Sequence, residues 1–221
     1  MMKILSFSDT VSAPLYSPAV KQKFGDVDLI IDCGDTPYFY LEFVLTALNK
    51  PAFFVRGNHS KVMDYEGPSA RASPHGAFDL HRKVVNHKGL LLAGVEGSLR
   101  YHPGPFQYNQ SEMWWNIFAL LPGIFRNRFQ HGRFLDILVT HSPPSGIHDQ
   151  TDLPHRGIKA FRWFIQVFQP SFHLHGHIHT YRPGTVMATQ LGKTRVLNTY
   201  GYRVTEFYLI EPKSSGSDEA A

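Results

Sequence analysis

An α/β fold is predicted, and three observations predict it. Short apolar runs stop at polar residues, amphipathic stretches at helical spacing lie between them, and the composition can fill a core. The chain has 221 residues, 43% hydrophobic, 14% aromatic and 18% charged, which excludes a disordered, collagen-like or coiled-coil chain. The length favours one large domain, expected over 1–213 with an insert at about 96–133 and a disordered, solvated tail at 214–221.

Lys3 to Ser8 is an apolar run that stops at Asp9, the form of a buried strand entering a loop. Ser17-Pro18 followed by Val20, Phe24 and Gly25 carries an N-cap residue, a proline at the first helical position and a terminal glycine, so a short helix is predicted. Val27 to Ile31 reads as a second strand ending in Asp32-Cys33-Gly34-Asp35. Leu41, Val44, Leu45 and Leu48 recur at helical spacing, and Ala52 to Val55 forms a third strand running into Arg56-Gly57-Asn58-His59. Between 60 and 88 only Val84-Val85 has strand character, whereas Leu90 to Val95 is a clear strand. The insert holds one expected helix through Met113, Trp114, Ile117, Leu120 and Leu121. Phe134 to Val139 then leads to His141, a helix aligns Ile158, Phe161, Ile165 and Phe168, and a strand around Phe172 to Leu174 delivers His175 to His179. Val186 to Ala188, Arg195 to Asn198 and Val204 to Ile210 read as antiparallel strands.

One cysteine, Cys33, excludes an internal disulfide framework and any metal site built from several thiolates, so His, Asp and Asn must supply metal ligands. The net charge of +4 is weak support for nucleic-acid binding, while 13 histidines against 18 carboxylates favour metal and proton chemistry. No window reaches the roughly 18 to 20 apolar residues of a membrane span, and Met1-Met2-Lys3-Ile4-Leu5 opens a strand pattern, so a cytoplasmic protein with no membrane partner is expected. Arg100, Arg126, Arg128 and Arg133 mingle with Trp114, Trp115, Phe125 and Phe129 in the insert. That mixture is read as a cap over an active site or a self-association surface in preference to a nucleic-acid track.

Five predicted strand ends present metal-binding side chains: Asp9, Asp35, Asn58-His59, His141 and His177-Ile178-His179. Ligands of open α/β sheets gather at the carboxyl ends of strands, so these residues are expected to share one site. Each has a bland alternative, Asp35 as a helix cap and Asn58-His59 as a turn, but five such ends in succession outweigh it. A two-metal hydrolase needs a bridging carboxylate, for which Asp35 is suited, with nitrogen and oxygen donors around it. His155 and Arg156 lie where phosphate oxygens would meet the helix opening near Gly157, and Arg56 flanks Gly57, so all three are candidate substrate contacts. His175 is a weaker candidate ligand, and Asp32 and Cys33 are read as supporting residues.

The series Asp9-Thr10-Val11, Gly34-Asp35, Gly57-Asn58-His59, His141 and Gly176-His177-Ile178-His179 resembles the calcineurin-like metallophosphoesterases over residues 3 to 182, and more loosely their small phosphodiesterase branch. The resemblance implies a four-layer αββα sandwich of two mixed sheets. It implies one divalent ion, of Mn, Fe, Zn, Co or Ni, on Asp35, Asn58, His141 and His177, and a second on Asp9, Asp35 and His179. It further implies in-line attack of a metal-bound hydroxide on a small-molecule phosphoester, a diester in preference to a monoester, with His59 and Asn58 as catalytic residues. Two departures stand out. Val11 replaces the family's first histidine, which weakens the second ion's site, and Ser60 replaces the acid that usually follows His59. The competing expectation is a non-catalytic binding or scaffold protein on the same fold, the role ascribed to a retromer subunit of this superfamily.

Overall fold

The computed structural model describes residues 1–65, 70–180 and 184–208, so the expected tail and the end of the last expected strand, 209–210, lie outside it. In chain order the elements are β1 (Met2–Ser8), α1 (Val20–Phe24), β2 (Leu29–Asp32), α2 (Tyr38–Leu48), β3 (Ala52–Phe54), β4 (Ala77–Asp79), β5 (Val84–His87), β6 (Leu90–Val95), β7 (Ser98–Leu99) and β8 (Gln107–Tyr108). There follow α3 (Gln110–Phe118), α4 (Leu121–His131), β9 (Ile137–Thr140), α5 (Lys159–Phe168), β10 (Phe172–His175), β11 (Ala188–Leu191), β12 (Thr194–Asn198) and β13 (Gly201–Phe207).

Two large mixed sheets form, one in the order β13-β1-β2-β3-β4 and the other β11-β12-β10-β9-β6-β5. The alternation of side chains along each strand assigns three apolar layers. Ile4, Leu29, Ile31 and Phe53 of the first sheet meet Leu90, Leu92, Ile137, Val139 and Leu174 of the second. Their neighbours in sequence, Leu5, Ile30 and Phe54, face outward onto Val20, Phe24, Leu41 and Val44 of α1 and α2. On the far side Leu91, Ala93 and Leu138 face Met113, Ile117, Ile124, Phe161 and Ile165 of α3, α4 and α5. The result is the expected αββα sandwich, with β1, β2, β3, β9 and β10 each ending next to a candidate ligand.

The details depart from the sequence reading at several points. The first helix begins at Val20 behind Ala19, without a side-chain cap, because the Ser17 hydroxyl donates instead to the Pro14 carbonyl. β4 has no counterpart among the expected strands, its positions being only half-buried or exposed. The insert holds two helices where one is expected: Asn109 and Glu112 form a capping box that starts α3, and Pro122 in the first turn of α4 starts a new helix. Because α3 and α4 bury Met113, Ile117 and Ile124 in the outer core, they are a layer of the sandwich and not a cap. The strand expected at 186–188 forms instead at Ala188–Leu191, and Val186 is exposed.

Ile31 lies fully buried between the sheets, whereas Phe129 is 92% exposed. In urea unfolding Ile31→Ala should cost about 2–5 kcal/mol, and Phe129→Ala should change stability by no more than about 0.5 kcal/mol.

Candidate metal centre

The chain turns sharply as it leaves β1, β2 and β10. Asp9 (φ +66°), Asp35 (φ +59°) and His177 (φ +68°) all adopt left-handed backbone, a conformation that costs ordinary residues of order 1–3 kcal/mol and gathers at functional sites. Two glycines make the approach close enough. Gly34 has φ +98°, and a Cβ on it would strike the Gly57 nitrogen; a Cβ on Gly57 would collide with the Asp35 carboxylate and the His141 ring.

Within that frame four side chains from two sheets converge. Asp35 and Asn58 follow β2 and β3 of one sheet, and His141 and His177 follow β9 and β10 of the other. His141 Nε2 lies 3.1 Å from Asp35 Oδ2, 3.1 Å from Asn58 Oδ1 and 3.1 Å from His177 Nδ1. The outer ring nitrogens define the tautomers, because a carbonyl only accepts. His141 Nδ1–H donates to the Cys33 carbonyl at 2.9 Å, and His177 Nε2–H donates to the Pro154 carbonyl at 2.8 Å. With both rings neutral, the inner nitrogens carry lone pairs toward two oxygens that also accept. Donors about 2.1 Å from one ion and 90–109° apart are themselves about 3.0–3.4 Å apart, so the set fits a divalent cation.

The electrostatics agree. Burial alone would lower the His141 pKa, but the Asp35 carboxylate outweighs it and raises the value to about 9. Burial would raise the Asp35 pKa, but the His141 charge and the His59 backbone N–H hold it at about 2. Burial and the neighbouring His141 keep His177 neutral, with its pKa lowered to about 4. The pocket thus favours one positive charge at its centre, either a proton on His141 or a cation among the donors.

The other candidates fall around this core. The Asp9 carboxylate is buried, accepts the His177 backbone N–H at 2.9 Å, and lies 3.5 Å from His179 Nε2. Asp9 and His179 thus form a pair beside the core cluster of Asp35, His141 and His177, while Val11 is an exposed apolar residue that supplies no donor. His59 is exposed on the rim of a cavity of about 260 Å³ lined by Asp35, Tyr38, Phe39 and Lys61, and among the described residues no hydrogen bond holds its ring. His155 packs its ring 5.3 Å from that of His177 and meets Asp152 at 2.6 Å.

Arg56 is directed elsewhere. Its guanidinium pairs with Asp79 and the Ala72 carbonyl and lies over the Phe54 and Phe106 rings. Arg156 is exposed and reaches the Thr151 carbonyl of its own loop. The backbone N–H groups expected to greet phosphate are taken: Gly157 N–H by Asp149 Oδ2 at 3.1 Å and Lys159 N–H by Gln110 Oε1 at 3.1 Å. His175 is bound to His148 at 2.8 Å, and Asp32 accepts from the Gly34 N–H and the Thr36 hydroxyl as a brace for the turn.

Tyr101 is the residue that sequence reasoning missed. Its hydroxyl accepts from Asn58 Nδ2 at 3.1 Å, which fixes the amide with its oxygen toward His141. The two positions are 43 residues apart, and no local pattern connects them.

The calcineurin-like phosphoesterase family model matches residues 2–181. The UPF0046 protein K07C11.7 of Caenorhabditis elegans is 26% identical over 200 residues, 80% of this chain; the chain spans 63% of that relative's length. The protein TT1561 of Thermus thermophilus superposes with a TM-score of 0.56 at 16% identity over 90% of this chain and 89% of its own. Another solved chain does so with a TM-score of 0.61 at 14% identity over 91% and 93%. At such identities these structures speak to fold alone.

Two outcomes follow from the geometry. Tyr101→Phe should weaken affinity for a divalent ion such as Zn²⁺ by about 10-fold in titration calorimetry, the usual cost of losing a residue that orients a ligand. Protein stripped of metal by a chelator should show a pH window. The raised His141 pKa gives stability that is complete below 6.5 and lost as pH rises through about 9. The lowered Asp35 pKa gives stability present above 3.8 and lost as pH falls through about 2. The advantage of wild type over Asp35→Asn in urea unfolding should therefore be greatest between about pH 4 and 6.5.

Proposed function

The chain belongs to the calcineurin-like phosphoesterase family, and on that premise we propose that it hydrolyses a small-molecule phosphoester, a diester in preference to a monoester. The observation that carries the reading is the convergence of Asp35, Asn58, His141 and His177 with lone pairs facing one point. These four would hold one divalent ion of the Mn, Fe, Zn, Co or Ni group, and Asp9, Asp35 and His179 a second, weaker one. Bound there, such ions supply Lewis acidity toward a phosphoryl oxygen and bring the pKa of coordinated water toward neutrality.

The protein's own groups take the remaining tasks. Asn58 and Asp35 each carry a second bond, to Tyr101 and to the His59 backbone N–H, that keeps the donor atoms in place. The Asp35 contact also places His59 at the cavity rim, where its ring can protonate the departing oxygen. The ester's leaving portion fits the cavity beside His59, against the Tyr38 and Phe39 rings. Lys61 is the one lysine on that lining, and it is paired with Asp64. A singly charged diester suits that sparse positive charge better than a dianionic monoester. Of the loop candidates we favour His155 for substrate contact, because its ring lies 5.3 Å from that of His177 while Arg156 reaches only its own loop.

Val11 is the observation that favours the scaffold reading, since a reduced second site could leave binding without turnover. Bis(p-nitrophenyl) phosphate separates the two. Turnover with added Mn²⁺ supports catalysis, and a folded, metal-loaded protein inert with Mn²⁺, Co²⁺, Ni²⁺ and Zn²⁺ supports the scaffold. Asp35→Asn and His141→Ala should abolish turnover. His59→Ala should lower kcat by about 10²–10⁴ with bound metal unchanged, and Val11→His should tighten the second ion.

A further inference from the structure

The outer face of α3, α4 and α5 carries an aromatic surface that catalysis does not use. Phe129 is 92% exposed, Trp115 70% and Phe125 56%, with Phe118 and Val167 exposed beside them. Ring contacts link the three helices beneath this surface, through the half-buried Trp163 and the buried Phe168. Trp115 meets Phe118 at 5.9 Å, Phe118 meets Trp163 at 6.1 Å, Trp163 meets Phe168 at 5.8 Å, and Phe168 meets Phe125 at 6.1 Å. Large aromatic side chains exposed together on one face mark interaction sites more often than chance exposure.

The charges around the rings indicate which partner. Arg126, Arg128 and Lys159 are exposed and Arg162 is half-buried on the same three helices. Among the described residues Arg126 hydrogen-bonds the neutral Gln130 side chain, and Arg128 meets the Gly132 carbonyl and the Phe134 ring. The single acid on these helices, Glu112, is occupied by the α3 capping box and by Arg100 at 3.0 Å. A second copy docking face to face would oppose like charges, with no acid on these helices but the already engaged Glu112 to relieve them. We propose that this face binds an anionic lipid surface, with Phe125, Phe129 and Trp115 entering the headgroup boundary and the arginines meeting lipid phosphates. The mode is peripheral: no described helix is long and apolar enough to cross a membrane. The proposal departs from the sequence expectation of no membrane partner, and it is independent of the hydrolytic reading.

All three tryptophans, Trp114, Trp115 and Trp163, lie on α3 and α5, so intrinsic fluorescence reports on this face. The 221-residue chain is mixed with phosphatidylcholine vesicles with and without about 30% phosphatidylserine, and binding is read by flotation and by tryptophan emission. The expected result is binding and a blue shift with the anionic vesicles only, weakening as salt is raised. Phe125→Ser with Phe129→Ser, and separately Arg126→Glu with Arg128→Glu, should each reduce partitioning at least about 10-fold. Their urea midpoints and phosphoester turnover without lipid should match wild type. Equal partitioning onto neutral vesicles, or none onto either, overturns the proposal. So does a wild-type dimer in sedimentation that Phe129→Ser dissociates, or retention on polyglutamate without vesicle binding.

Discussion

Four acceptor atoms crowded together, three of them within hydrogen-bond distance of the fourth and with no hydrogen to share, are unstable in a buried pocket unless positive charge sits between them. That condition governs the centre of this molecule. The Cys33 and Pro154 carbonyls each hold the outer N–H of a histidine ring, so His141 and His177 cannot relieve the crowding by turning. The Asn58 amide is held by Tyr101 and the Asp35 carboxylate by the His59 backbone. The surrounding contacts hold the side chains in an arrangement whose energy is made good by a cation.

The backbone carries part of the same cost. Asp9, Asp35 and His177 would each be more comfortable outside the left-handed region, and glycine at those places would relieve the strain but remove a candidate ligand. Glycine is used instead at Gly34 and Gly57, where any Cβ would separate the two strand ends. The two residue types divide the work, one supplying donors and the other supplying proximity.

Much of this is legible in the sequence because the signals are local. A strand reads as a buried run, and the polar residue that stops it reads as a site residue, so β1, β2, β3, β9 and β10 and their candidate ligands can be placed in order. What escapes such a reading is non-local. Tyr101 meets Asn58 only through the fold. Arg56 looks free beside Gly57, yet Asp79, on a short strand with little apolar signal, takes its charge. The amide of Gly157 looks open to phosphate, yet Asp149 fills it. The boundary between α3 and α4 is the exception: Pro122 announces it, and the continuous apolar spacing across Leu120 and Leu121 conceals it.

Asp35 and Asn58 hang from one sheet, and His141 and His177 from its partner. Between their faces the sheets are joined by non-directional apolar packing. An ion seated among those residues would act as a rivet at the open end of that seam, resisting slip of one sheet over the other. Its dissociation and the opening of the sandwich would then be linked equilibria, so scarcity of metal would erode the protein's persistence as well as its chemistry.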